Sequence, residues 1–285
     1  MNKQLDLFIT LTANEASIKS NQDLMSRSWV DLSKNHKRKL IQHTAKDGSW
    51  VKIHANEDYG LATIADMDVL LFITSAIMDK VNNGESLTNE LRFTGYEYFH
   101  FTNKSKSGRS DKRLQEALTR LHTTRIETNI RSEDKKEKYS SFYWISEWQK
   151  VVDNGRTVGY SVKLPNWMLE SISTPKLILT LDDEYFQISS GLKKWLYLFC
   201  RKAVGLKSRT AWKESFRSIH EKSGMNSSLK SFTFTLRKII SKNDIPNYYL
   251  EENENNILSI TRTRKTLHKS RASLDEQQYI EMGSI

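Results

Sequence analysis

The feature that most constrains this chain is a pattern written twice. Leu114, Leu118 and Leu121 stand at positions i, i+4 and i+7, and Phe232, Leu236 and Ile239 repeat that spacing in the second half. Such spacing places three apolar side chains on one face of a helix. In both halves the reading predicts a strongly apolar helix, a short helix, a Gly-containing turn, this patterned helix and then a two-stranded ribbon. That is the order of a winged helix-turn-helix. Order and period agree independently, so the chain reads as an α+β protein of two tandem winged-helix domains related by pseudo-duplication. Its 285 residues suit about two domains.

Local signals set the expected boundaries. Thr63, with Asp66 three residues on, predicts the start of a helix that runs to Val81 and stops at Asn82-Asn83-Gly84. Its apolar residues, from Ile64 to Val81, cover more than one face, as expected of a core helix. Ser189 or Ser190 opens its counterpart, which ends at Gly205. Tyr96–Thr102 and Glu214–His220 are the short helices. The patterned helices are Lys112–His122, capped by Ser110 or Asp111, and a second from Ser227 or Ser228 to Ser241. Thr124–Ile130 with Ser141–Trp148, and Ile245–Leu250 with Ile257–Thr263, are the expected ribbons. Asp153-Asn154-Gly155-Arg156 predicts a type I′ hairpin turn, and Pro165 is placed at the first position of a helix over 166–172. The expected division is a flexible tail over 1–28, winged-helix domains over 29–174 and 175–265, and a C-terminal tail over 266–285.

Charge bears on the partner. Lys and Arg number 44 against 34 Asp and Glu, a formal net charge of +10. This favours nucleic acid first and an anionic membrane surface second. The longest apolar run, Val69–Ile73, is too short to span a bilayer, and Met1–Thr10 lacks the basic and apolar regions of a secretory signal, so a cytoplasmic protein is expected. The single cysteine, Cys200, excludes an intramolecular disulfide and reads as core. No P-loop appears, and the seven histidines form neither HxH nor HExxH, so neither catalysis, metal nor cofactor is expected.

The patterned helices then supply the candidate site. At roughly 100° per residue, Leu114, Ala117, Leu118 and Leu121 cluster on one side, leaving Lys112, Glu116 and Thr119 outward, flanked by Arg113 and Arg120. The preceding loop carries Lys104, Lys106 and Arg109, so Lys104–Arg113 holds five basic residues against one acid, Asp111. In the second half Lys230, Phe234 and Arg237 face outward, with Ser231 and Lys238 beside them. Phe234 either packs on the rest of the protein, meets a thymine methyl, or marks a wrong helix phase. Lys207 and Arg209 precede the second short helix. Arg262 and Arg264 open a basic stretch that reads as a backbone clamp or a solubilising tail. The turn Glu251-Glu252-Asn253-Glu254 is expected to stay off phosphate. The candidate DNA contacts are thus Lys104, Lys106, Arg109, Lys112, Arg113, Glu116, Arg120, Lys207, Arg209, Lys230, Arg237, Arg262 and Arg264.

Three segments carry a resemblance. Tyr59–Phe72 (YGLATIADMDVLLF), Tyr96–Ile130 and Phe142–Trp148 (FYWISEW) resemble the plasmid replication initiator protein A family. The likeness is collinear from Arg27 to Arg264, looser in the second half and absent from the tails. It implies two tandem winged-helix domains on directly repeated double-stranded sites in a plasmid origin. It further implies recruitment of the host replication initiator and replicative helicase machinery, and repression of the initiator's own promoter by a homodimer. The expected function is a non-enzymatic origin-binding initiator. A winged-helix transcription regulator shares every feature named so far, and a nuclease or relaxase nicking the origin is the reading from a different class.

Overall fold

The computed structural model describes residues 17–33, 38–105, 107–131, 138–205 and 210–263. In chain order its first half runs β1 (Lys19–Asn21), β2 (Leu40–Thr44), β3 (Trp50–His54), α1 (Met67–Asn82), β4 (Glu90–Phe93), α2 (Gly95–Phe101), α3 (Gly108–Thr123), β5 (Arg125–Thr128), β6 (Ser140–Tyr143), β7 (Glu147–Asp153), β8 (Arg156–Lys163) and α4 (Asn166–Ile172). The second half follows with β9 (Ile178–Thr180), α5 (Gly191–Val204), β10 (Ala211–Ser215), α6 (Phe216–Ser223), α7 (Leu229–Lys242), β11 (Tyr248–Asn253) and β12 (Ile257–Arg262). The architecture is mixed, α+β.

A helix apolar on several sides must be covered on several sides, and α1 is buried continuously from Met67 to Ile77. It packs against β1, β4, α2 and α3. The Thr63–Asp66 pair does form, with the Thr63 N–H and hydroxyl both donating to the Asp66 carboxylate. It closes a turn, and the helix proper begins after Asp66. Thr94 and Glu97 make a reciprocal capping box at the head of α2. Ser107 caps α3, a turn earlier than Ser110 or Asp111, so Arg109 lies on the helix and not in the loop.

The sheets show where the two halves agree. One three-stranded sheet has the order β4-β8-β7 and another β10-β12-β11. In each, the strand ahead of the short helix pairs with the second strand of a hairpin that follows the long helix. In the first half that hairpin is β7–β8, turning through Asn154 (φ 47°) and Gly155 (φ 73°), as a type I′ turn requires. The strands directly after α3 go elsewhere. β5 and β6 extend β2 and β3 into a four-stranded sheet, with Ile126 opposite Ile53 and Thr128 opposite Val51. The ribbon expected over 124–130 and 141–148 does form, as β5 paired with β6, but it joins β2 and β3 and not the sheet of β4, because alternation marks a strand without naming its sheet. Pro165 is the N-cap of α4, one place before its expected position.

Residues 17–28 are not a tail. β1 pairs antiparallel with β9, and Ile18, Leu24 and Met25 are buried. The Ser28 N–H donates to the Lys222 carbonyl at 2.8 Å, tying this segment to α6. The apolar core is continuous through both halves. Gly191 opens α5 where the helix meets the preceding chain, since a Cβ there would stand 2.1 Å from the Leu32 carbonyl oxygen. Cys200 is fully buried in α5, and burial pushes its thiol far above the ordinary range. Among the described residues no helix is long and apolar enough to cross a membrane.

Candidate nucleic-acid interface

The inner face of α3 is Leu114, Ala117, Leu118 and Leu121, all buried. Its outer face is a single stripe of Arg109, Lys112, Arg113 and Glu116, all exposed. Lys112 Nζ lies 4.0 Å from Glu116, an i,i+4 pair of small energetic weight. Asp111, the acid counted against this cluster, is turned inward. Its carboxylate accepts from the Tyr160 hydroxyl at 2.8 Å and from Gln115 Nε2 at 3.1 Å. Asp111 is thus withdrawn from the exposed stripe, which carries three cations and one acid, Glu116. The same bonds moor β8 to α3. Burial, reinforced by Asp111, holds the Tyr160 hydroxyl well above its ordinary pKa.

Two first-half candidates are paired with buried carboxylates, Lys104 while still exposed and Arg120 half-buried. Lys104 Nζ lies 2.9 Å from Asp68, a carboxylate 1% exposed on α1, and Lys194 of α5 reaches the same group at 2.7 Å. Burial pulls the Lys194 ammonium below its ordinary pKa and Asp68 only partly offsets this. Burial acts on Lys104 likewise, but Asp68 and Tyr98 more than compensate and raise it. The three charges join α1, the loop ahead of α3, and the second half. Arg120 ends the α3 stripe, yet its guanidinium forks onto Asp66 with two 2.8 Å bonds. Both cations satisfy buried carboxylates, which a lone charge in the interior would demand.

In the second half Phe232, Leu236 and Ile239 are buried, so the helix phase read from the sequence is correct. Phe234 is exposed on the outer face, and Lys238 Nζ lies 4.2 Å from its ring centroid. Lys230 is exposed beside them. Arg237 is exposed but engaged, donating to Glu252 at 2.8–3.1 Å and to Asn256 at 2.9 Å. The Arg237 bond holds the Glu252 carboxyl below its usual range. The acidic hairpin turn is thereby bound to α7. Arg262 donates to the Val204 carbonyl at the end of α5, so it clamps protein backbone in this structure. Lys106, Lys207, Arg209 and Arg264 lie outside the described residues.

Some residues of this face went unselected by the sequence. Lys238 forms an i,i+4 pair with Phe234, a spacing visible in the chain. Lys150 and Arg156 are exposed on the β7–β8 hairpin. The turn of that hairpin was predicted, but its cations were not selected because the sequence placed the ribbon on other strands. Between α6 and α7 the backbone turns through Gly224, whose carbonyl accepts from Arg38. Among the described residues no three His, Cys, Asp or Glu side chains gather as a metal site would need. What the two outer helix faces offer chemically is positive charge, hydrogen-bond donors and one apolar ring.

The chain matches the family model described as replication initiator protein A over residues 19–250. A relative from Wigglesworthia glossinidia brevipalpis, named "Putative replication protein", is 32% identical over 208 residues, covering 71% of this chain and 74% of that protein. Among solved structures, a crystal structure of domains 2 and 3 of RctB superposes with a TM-score of 0.62 at 12% identity, covering 89% of this chain and 99% of that one. A second structure of the same RctB domains gives 0.53 at 11% identity, covering 80% and 92%. At that identity the likeness is one of fold. The family match spans most of the sequence and a relative shares a third of its residues, so this chain belongs to the replication initiator protein A family.

Proposed function

We propose that this family member is a plasmid replication initiator that binds directly repeated double-stranded sites at its origin through two winged helices. α3 and α7 enter successive stretches of major groove, which is wide enough to admit a helix. The β7–β8 and β11–β12 hairpins are the wings. Bound copies strain and open the adjacent duplex and recruit the host initiator and replicative helicase. A dimeric form represses the initiator's own promoter. The protein acts in the cytoplasm, without a cofactor and without catalytic chemistry of its own.

One observation carries this reading: the exposed stripe Arg109-Lys112-Arg113-Glu116 on α3, with Asp111 withdrawn from it. Arg113 and Lys112 have the reach and donors for guanine O6 and N7, and Glu116 suits cytosine N4. Arg109, in the first turn, is set for phosphate, where the helix dipole assists. On α7, Lys230 and Lys238 serve the backbone, and the Phe234 ring suits a thymine methyl.

The test is a footprint of the purified full chain on the repeats of its own plasmid. Protection is expected at repeats spaced by about 21–22 base pairs, two helical turns. Binding should weaken with salt at a slope of about −0.9 per neutralised phosphate. Arg113→Ala is expected to cost about 1–3 kcal/mol and to relax the choice of base at one position. Absence of protection at any repeat defeats the proposal, and an equal Arg113→Ala loss on every sequence reassigns that residue to the backbone.

A further inference from the structure

The sheet β2-β3-β5-β6 has one face in the core and one open to solvent. Ile41, Val51, Ile53 and Ile126 point inward and are buried. The open face is unusual in what it displays. Tyr139 is 60% exposed and Tyr143 42% exposed, and both alternate onto the outer side of β6 or its entry. Trp50 on β3 backs Tyr139, with ring centroids 5.7 Å apart. Lys52 lies two residues further along the same face, its ammonium 5.4 Å from the Trp50 centroid. Arg125 of β5 sits directly opposite Tyr143. Glu127, the acid between them, is drawn to its neighbours, 3.3 Å from Arg125 and 3.1 Å from His54.

Aromatic rings and cations interleaved on an open antiparallel sheet are the arrangement that holds unpaired bases. Rings stack the bases and cations meet the phosphates. Duplex DNA offers such a surface nothing to stack on, because its bases already stack on one another. Tyr139 and Tyr143 stand four residues apart along one strand direction, about 13 Å at strand rise. That distance suits an extended single strand that places a base on each ring and phosphates over Lys52, level with the gap between the rings, and over Arg125 beside Tyr143.

We propose that this sheet face binds single-stranded DNA, the product of opening an origin. It is separate from the outer faces of α3 and α7 and does not depend on what they bind. The ligand is held through stacking, so its sequence preference is weak.

The experiment measures anisotropy of a labelled oligothymidylate with the full-length protein, beside a labelled duplex carrying the origin repeats. The double variant Tyr139→Ala/Tyr143→Ala is expected to bind the oligothymidylate at least roughly tenfold more weakly. Its duplex affinity should stay within about twofold of the parent. Tyr139→Phe/Tyr143→Phe should restore single-strand binding, because the ring and not the hydroxyl is used. Glu127→Gln, which removes a negative charge from the face, should tighten it. Both tyrosines are exposed, and an unchanged thermal melt confirms that the alanine variant is folded. Unchanged oligothymidylate affinity in the alanine variant overturns the proposal and leaves the face to a protein partner. Equal losses on single strand and duplex overturn it too. Failure of the wild type to protect its repeats while it still binds oligothymidylate would sink the duplex reading alone.

Discussion

Arg113 and Arg120 share one stripe of α3 and differ entirely in what their charge does. Arg113 is exposed, whereas the Arg120 fork closes on Asp66, a carboxylate 3% exposed that also receives the Thr63 N–H and hydroxyl. Removing Arg120 leaves a buried anion without its countercharge, and removing a solvated cation leaves water in its place. Arg120→Ala should therefore lower the unfolding free energy in urea by about 3 kcal/mol. Lys112→Ala, at an exposed position, should move it by no more than about 0.5 kcal/mol. Equal effects would mean the Asp66 pair carries no weight in the fold. The sequence could not separate the two kinds of cation. Both stand at helical spacing, and Asp66 lies 54 residues upstream of Arg120. The Lys104 pair was hidden for the same reason, since its partner is 36 residues away. The outward-facing residues were legible because helical period alone decides which side chains oppose Leu114, Leu118 and Leu121.

Helices and tight turns were predicted closely, because their bonds are local. Ser228 and Ser190 stand where helices begin, and the Asn154-Gly155 step turns as its residues require. The error at the head of α3 was also local. Ser107, Ser110 and Asp111 all suit a cap, and Ser107 prevails because Ser110 reciprocates, its hydroxyl accepting from the Ser107 N–H at 2.6 Å. The hairpin can be tested directly. Gly155 has φ of +73° and open space where a Cβ would stand, so alanine meets backbone strain and no clash. Gly155→Ala should cost about 1 kcal/mol in a thermal or urea melt. No change at all would argue against the type I′ geometry. Both expected ribbons pair, β5 with β6 and β11 with β12, and what the sequence missed at this scale is the sheet the first one joins. β5 and β6 have the alternation of a ribbon, and only the register with Val51 and Ile53 shows which sheet they complete.

At the scale of the molecule, residues 17–33 and 38–44 help bind the halves. His43 illustrates the linkage: its Nε2–H donates to the Ser28 carbonyl at 2.8 Å, and its ring packs beside Gly224 of the second half. Burial, with lesser contributions from Arg27 and Arg38, lowers its pKa to about 4. The unfolded chain takes up this proton below about 6.5 and the folded protein refuses it, so stability falls as pH drops through that window. The loss should approach about 3 kcal/mol near pH 4, with no contribution above pH 7. Urea titrations at pH 7 and pH 4.5 measure it, and His43→Gln should flatten the slope. An identical acid slope in that variant would assign it to other groups. By itself the sequence determined the α+β class, the two patterned helices, their inner and outer faces and the hairpin turn, because these follow from period and from bonds spanning a few residues. The tertiary structure alone decided which cations are paired, which sheet the first ribbon joins, and that residues 17–28 pack on the core. Each of those depends on groups far apart in the chain, and burial sets its energy only after the chain has closed around them.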